Sequence, residues 1–531
     1  MPAIRGSIAG TSACGAPAKR CSSSSSARAL VNIVGRGFAR DAFTQALSAE
    51  AFVRAMLDFE RALAAAEADA GIVPPEAAHI IARVCADLRP APDALAAEAK
   101  RSGSLAVPLV RALTEHVAKV DARAAAFVHY GSTSQDVLDT ALVLCLKPCL
   151  TDADGVLAAS AGRLVGHARR HAGAVMLGRT LMQPATPITA GLKIARWAAA
   201  LHRCRLRLAE ARERALCIQL GGAVGTLDAI GAKRAMVRNG LAMRLHLHEA
   251  RAWHDHRDEL TRLLTELALV TTTVGKIARD VALLSQAEVG EMLESAPVKG
   301  VGGSSAMPHK RNPVACLQAL TAAARAPGLL TTLLSSSVGE HERALGGWQA
   351  ELVTVPELVD AAGSALDALE RIAAGLVVDP ERMKANLESL QGLVFSERLA
   401  RLIARDTDRA SAQALVDDWS AVAVKERRHL KDVALAAQPA LAGRIDEVFS
   451  LETLVAELLA DFDAPPFRRA DQLPACVRGW LARVLGPPNR EESHGRHLQS
   501  HPVARASRPL LSTNETRGVL GGRGCAQLTR S

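Results

Sequence analysis

Aromatic side chains are scarce: they make up 3% of the 531 residues, and Tyr130 is the only tyrosine. That scarcity counts against sandwiches and barrels, whose strands draw on aromatic and β-branched residues. The 49% hydrophobic content is carried by Ala, Leu and Val among good helix formers, so an all-α fold is expected. No apolar run approaches the roughly 18 residues a membrane helix needs, so no membrane partner is expected. The ten cysteines include no CxxC pair and no metal-ligand spacing. They read as small core residues and stray thiols of a reducing, cytoplasmic compartment, with no metal site.

Acidic residues are absent from positions 1–40, where Arg5, Lys19, Arg20, Arg28, Arg36 and Arg40 supply +6. Residues 487–531 set seven arginines against Glu491, Glu492 and Glu515. The two ends together account for the formal +9 of the chain, which leaves the body close to neutral and gives no support to a nucleic-acid surface. The Ser-rich start, with Ser22 to Ser26 in a row, lacks the apolar core of a secretory signal. It has the composition of either a transit peptide or a disordered extension.

Periodicity divides the remainder. Ser48 is placed to cap a helix in which Phe52, Met56, Phe59, Leu63 and Ala66 recur at helical spacing, with Gly71 and Pro74 as its stop. Residues 190–217 and 259–295 read as unusually long helices; in the second, Leu260, Leu263, Leu264, Leu267, Val270, Val274, Ile277, Val281 and Leu284 form one stripe. Such rods must bury their stripes in a bundle, within one chain or between subunits. The expected plan is a basic disordered extension over 1–40, an N-terminal helical domain over 41–132, a long-helix bundle over 133–380, a C-terminal helical domain over 381–486 and a basic tail over 487–531.

The densest concentration of polar chemistry is Gly302-Gly303-Ser304-Ser305-Ala306-Met307-Pro308-His309-Lys310-Arg311-Asn312-Pro313. Its glycines and prolines forbid a continuous helix, and its hydroxyls, amide and cations suit an anionic ligand or, more simply, a solvated loop. Ser132, Thr133 and Ser134 precede an apolar helix, where one hydroxyl can cap and others can meet a carboxylate at the positive helix end. Asp136 is placed to accept backbone N–H bonds at the same helix start. Gln183 lies before Pro184, where its amide satisfies a turn or binds carboxylate oxygens. His129 reads as a structural histidine or an acid–base group, and Arg279, beside Asp280 on the long helix, as an ion-pair member or an anion ligand. The tandem His254-Asp255-His256 lacks a third ligand at helical spacing, so no metal is expected there either.

The loop matches the pattern GSSxMPxKxNP at every defined position, and through it the chain resembles the fumarase/aspartase (class II lyase) superfamily. Val128-His129-Tyr130-Gly131-Ser132-Thr133-Ser134-Gln135-Asp136-Val137 resembles its first conserved block, and Gly178-Arg179-Thr180-Leu181-Met182-Gln183-Pro184-Ala185-Thr186-Pro187 its second. The resemblance covers about residues 41–485. It implies three helical domains, a homotetramer built on a central bundle, sites assembled from several subunits, and no organic cofactor. It also implies that Ser304 exchanges the carbon-bound proton, with His129 a second catalytic candidate. Ser132, Thr133, Ser134, Gln183, Arg257, Arg279, Lys310, Asn312 and Arg343 are then the substrate-binding set, Arg257 reaching in from another subunit.

Fumarases and adenylosuccinate lyases place His after the Thr of the second block; this chain has Leu181. Glu340-His341-Glu342-Arg343-Ala344-Leu345-Gly346-Gly347-Trp348-Gln349-Ala350-Glu351 resembles the EHERxxGxWxAE stretch of the carboxymuconate cycloisomerases, as does Leu220-Gly221-Gly222-Ala223-Val224-Gly225-Thr226. The activity so implied is addition of a carboxylate oxygen of a small tricarboxylate to a conjugated double bond, with protonation next to another carboxylate. The alternatives are a fumarate-releasing C–N or C–O lyase and a crystallin-like structural protein.

Overall fold

The computed structural model describes residues 37–295, 302–303, 306–307 and 309–462. The expected N-terminal helix forms as α1 (Ala49–Asp69): Ser48 Oγ accepts from Ala51 N at 3.2 Å, and Met56, Phe59, Leu63 and Ala66 are buried. Pro75 opens α2 (Pro75–Asp87), where a missing N–H costs nothing. Both pack on α3 (Ser134–Arg170) or on the loop leading to it. At 37 residues α3 is the longest helix described; a helix was expected to start after the Ser132–Ser134 cluster, but its length was not. Pro148 lies inside it, and residues 135–143 are buried on every face, so no one-sided stripe marks its start.

The chain then turns through a hairpin, β1 (Val175–Thr180) and β2 (Gln183–Thr189), and enters α4 (Ala190–Ala215). After α5 (Arg234–Leu245), α6 (Asp258–Leu284) carries the nine-residue stripe read from the sequence, all of it buried. The helix ends at Leu284, eleven residues before the expected limit, because the chain turns at Gly290 (φ +63°) into β3 (Met292–Glu294). Two more rods follow, α7 (Val314–Ser336) and α8 (Gly347–Gly375), and β4 (Leu376–Val378) pairs with β3. The described residues are all-α but for these two small sheets. Among the described residues no helix is long and apolar enough to cross a membrane.

The rods α3, α4, α6, α7 and α8 pack side by side. One continuous core runs from Phe43 to Met383, so residues before 133 share it with the bundle, and a second core spans Phe395 to Leu454. Arg40, expected in the extension, belongs to the body: it pairs with Asp152 and Glu370, while the Phe38 carbonyl accepts from Gln318. All six described cysteines are free, and five are buried.

Candidate active site

The bundle has two ends with different chemistry. At one end the first block starts α3. Asp136 sits in the first turn, fully buried, and accepts from Thr133 N (3.0 Å), Thr133 Oγ1 (3.2 Å), Gln219 Nε2 (3.1 Å), Gly221 N (2.8 Å) and Gly222 N (3.0 Å). One carboxylate thus fastens the Leu220–Thr226 segment to the helix start, and Thr133 becomes the N-cap. The approach needs glycine: at Gly222, φ +66°, a Cβ would stand 3.1 Å from the Gly131 carbonyl. Thr140, one turn further on, exchanges hydrogen bonds with the Gln219 backbone.

Arg343 closes this end. Its guanidinium donates to Gln135 Oε1 (2.9 Å), to the Gly222 and Ala223 carbonyls (both 3.1 Å) and to Thr133 Oγ1 (3.4 Å). Trp348 Nε1 donates to Asp139 Oδ1 at 3.0 Å. Two consequences follow for the expected site residues. Arg343 is brought together with Ser132, Thr133 and Ser134. The Ser132 hydroxyl is buried and without a hydrogen-bond partner among the described residues.

Arg257 departs from expectation. It is 6% exposed, stacks over Trp253 and is bonded to two carboxylates of its own chain, Asp139 (2.7 and 3.0 Å) and Glu351. A guanidinium shared between two buried carboxylates braces α3, α6 and α8 against each other; it has no fork left for a substrate on another subunit. Its neighbours His254 and His256 face opposite ways, His254 buried and His256 exposed. Burial pushes the His254 imidazole below its usual range, and its Nε2 lacks a partner.

His129 precedes the same helix start in a left-handed backbone conformation, φ +61°. Its Nδ1 lies 2.6 Å from Glu60 on α1. Burial opposes the imidazolium, yet the charge and hydrogen bond of Glu60, helped by Asp136, outweigh it and the net shift is upward.

The second and third blocks lie at the other end. Arg179 makes a bidentate pair with buried Glu291 (2.7 and 2.8 Å), which also accepts from Asn386 at 2.9 Å. This pins the hairpin beside β3. The hairpin tip projects: Leu181 (φ +48°) and Met182 (φ +66°) are 97% and 67% exposed, and Gln183 beside them is exposed. A two-residue turn with both φ positive ordinarily takes Asn-Gly; two apolar side chains held there are strained and uncovered. The signature loop is closed at its neck, where Asn312 N donates to the Gly302 carbonyl at 2.8 Å, and a Cβ on Gly302 would stand 2.5 Å from Asn312 O. Glu294 caps the following α7 through Ala315 N (2.8 Å) and Cys316 N (3.0 Å). Lys310 and Asn312 are exposed; Ser304, Ser305 and Pro308 lie outside the described residues. Arg279 is exposed near the last turns of α6.

Helix α6 connects the two ends, and its 27 residues measure about 40 Å at 1.5 Å per residue. One protomer therefore cannot bring Arg343 and Lys310 onto the same small molecule. The sequence reading missed Glu60, Gln219 and the Asp139–Arg257–Glu351 brace. A signal existed for two of them, since Glu60 and Asp139 are acids set among apolar helical residues and must be partnered when buried.

Comparison with known proteins bears on these features. A sequence model of the lyase family matches residues 36–328. The 3-carboxy-cis,cis-muconate cycloisomerase of Bradyrhizobium diazoefficiens is 44% identical over 382 residues, 72% of this chain and 84% of that protein. That of Pseudomonas aeruginosa is also 44% identical over 382 residues, covering 72% and 83%. The crystal structure of the 3-carboxy-cis,cis-muconate lactonizing enzyme from Pseudomonas putida superposes with a TM-score of 0.75 at 37% identity, over 86% of this chain and 98% of that one. With more than half its length matched by the family model and a relative 44% identical over 72% of it, the chain belongs to the lyase family of the fumarase/aspartase superfamily.

Proposed function

We propose that the chain is a 3-carboxy-cis,cis-muconate cycloisomerase, forming 4-carboxymuconolactone in the protocatechuate branch of the β-ketoadipate pathway. The observation that carries this reading is the fastening of Glu340–Glu351 onto the first block through Arg343 and Trp348. This supports counting the stretch in which the sequence resembles the cycloisomerases, more than the wider superfamily, as part of the site. The exposed Leu181 at the hairpin tip argues against the fumarate-releasing alternative, because no imidazole stands there to act as its acid.

The reaction is an isomerisation, and its atoms balance without a co-reactant. One carboxylate oxygen forms a C–O bond with a conjugated carbon, the π electrons move to the carbon beside another carboxylate, and a proton completes a C–H bond there. The transient carbanion spreads into that carboxylate, which calls for cations and N–H donors set in advance. Lys310, Asn312 and the loop backbone take this role, and Ser304 exchanges the proton. Ser132, Thr133, Ser134, Arg343 and His129 hold the substrate's other carboxylates from the opposite end of a neighbouring protomer, with Gln183 and Arg279 beside the loop. Arg257 is left out of this set.

The separation of about 40 Å along α6 and the uncovered apolar hairpin tip support sites shared between subunits of a homotetramer. The free thiols fit a cytoplasmic enzyme. A parallel spectroscopic assay with 3-carboxy-cis,cis-muconate, adenylosuccinate and fumarate is expected to show turnover of the first alone. Turnover of either of the others in preference, or a stable active monomer by light scattering, would overturn the reading.

A further inference from the structure

Glu60 interrupts the most buried stretch of α1. It is 1% exposed between Phe59 and Leu63, and its carboxylate meets Nδ1 of His129, which is 69 residues away in sequence, at 2.6 Å. His129 is itself held in the left-handed backbone region, which side chains rarely adopt, and Gly131 follows at φ +67°. A strained backbone and a buried carboxylate therefore fix one imidazole at the head of the first block. Since Nδ1 is occupied, Nε2 is the ring nitrogen that remains to meet a ligand.

We propose that Glu60 is a positioning residue of this site: by accepting the Nδ1 proton of His129 it fixes the tautomer and angle of the ring and presents Nε2–H to a carboxylate of the substrate. This rests on the cycloisomerase reading for the identity of the ligand, and on the geometry of the chain for the pairing. The charged groups facing the imidazole are Glu60 on α1 and Asp136 at the head of α3, and both favour its protonated form. Behind Glu60 stand Glu67 on the same helix and the Cys85 thiol of α2, with Arg54, Asp58 and Arg61 of α1 around that thiol. Beyond them Asp69 pairs with Arg244 of α5. Two anions against one imidazole favour its charged form, which suits it to hold a carboxylate.

The test uses the full-length protein and two independent readouts: the pH profile of kcat/KM with 3-carboxy-cis,cis-muconate, and the NMR titration of the His129 ring in selectively labelled protein. Glu60→Gln keeps the shape and removes the charge. It is expected to move the alkaline limb of the profile toward acid by about one pH unit or more, with the ring titration moving by the same amount. Glu60→Asp, which keeps the charge with a shorter reach, is expected to give a smaller shift in the same direction, and decides the matter should the Gln variant not fold. In a His129→Gln background, Glu60→Gln should cost nothing further. A Glu60→Gln enzyme that is slower but shows neither shift would mean a merely structural carboxylate and would overturn the proposal. Absence of cycloisomerase turnover in the wild type would instead defeat the functional reading, while the ring titration would still decide the pairing.

Discussion

The two ends of the bundle differ in how finished they are. Around the first block, Asp136 alone collects five donors, and Arg343 and Arg257 each bind several partners within one chain. At the hairpin and signature loop the bonds hold only the base, through Arg179–Glu291 and the Gly302–Asn312 neck, while Leu181, Met182, Lys310 and Asn312 face outward. On the proposed reading, one end is a preorganised receptor and the other offers reactive groups to a neighbouring protomer. Substitutions at the first should therefore reach stability as well as binding, and those at the second should reach chemistry with little effect on the fold.

The brace is expected to give the largest effect. Arg257→Met leaves Asp139 and Glu351 buried and uncompensated, and should destabilise by about 3–5 kcal/mol in urea unfolding. A loss under about 1 kcal/mol would show that the receptor end is not held by this pair. Ser304→Ala tests the other end: turnover should fall roughly 100-fold or more with little change in affinity or unfolding midpoint. Ser305→Ala should be markedly milder, and Lys310→Ala should weaken both binding and turnover, because its charge meets the substrate carboxylate as well as the developing negative charge. Two serine variants both near wild type would move the proton transfer to His129 or His309.

Arg343→Lys comes next and sharpens the contrast. Lysine keeps the charge but cannot span Gln135, the Gly222 and Ala223 carbonyls and Thr133 together. With each such bond worth roughly 1.5–3 kcal/mol, kcat/KM should drop about 10- to 100-fold, mostly through KM. A fall confined to kcat would place Arg343 at the reacting carbons rather than at a distant carboxylate.

Much of this was legible before the structure. The Ser48 cap and the α6 stripe follow from spacing and capping chemistry that depend on neighbours in sequence, and the three blocks from the resemblance to the superfamily. The first block's hydroxyls were placed correctly at a helix start, and the cap fell to Thr133. What escaped depends on partners far away in sequence. Nothing near Arg257 in the chain shows that Asp139 and Glu351 will enclose it, and α3 buries so many of its faces that no stripe gives it away. The overlong estimate for α6 has a local cause: residues 285–289 contain no proline or glycine, so the sequence shows no breaker before Gly290, where the chain turns into β3 and its pairing with β4.

The smallest effect expected concerns Glu67, and it separates the receptor's proton chemistry from its packing. Both carboxylate oxygens are buried without a partner, and burial, with Glu60 nearby, pushes the group from 4.5 up to about 9. Because the folded value lies above the unfolded one, the folded state binds the extra proton: the protonated acid is tolerated below pH 4.5, and stability is lost as pH rises from there toward 9. Glutamine resembles the protonated acid but cannot titrate, so Glu67→Gln should escape that loss. Its amide also lacks partners, so the absolute offset from wild type is not diagnostic, but the slope is. Between pH 6 and 8 the variant should gain on wild type by up to about 1.4 kcal/mol per pH unit in unfolding free energy, with turnover unchanged. Parallel stability curves would mean that Glu67 ionises inside the fold with a partner, most simply by drawing on the Glu60–His129 pair. Activity would then change too, and the receptor end would be a coupled network rather than one carboxylate and one ring.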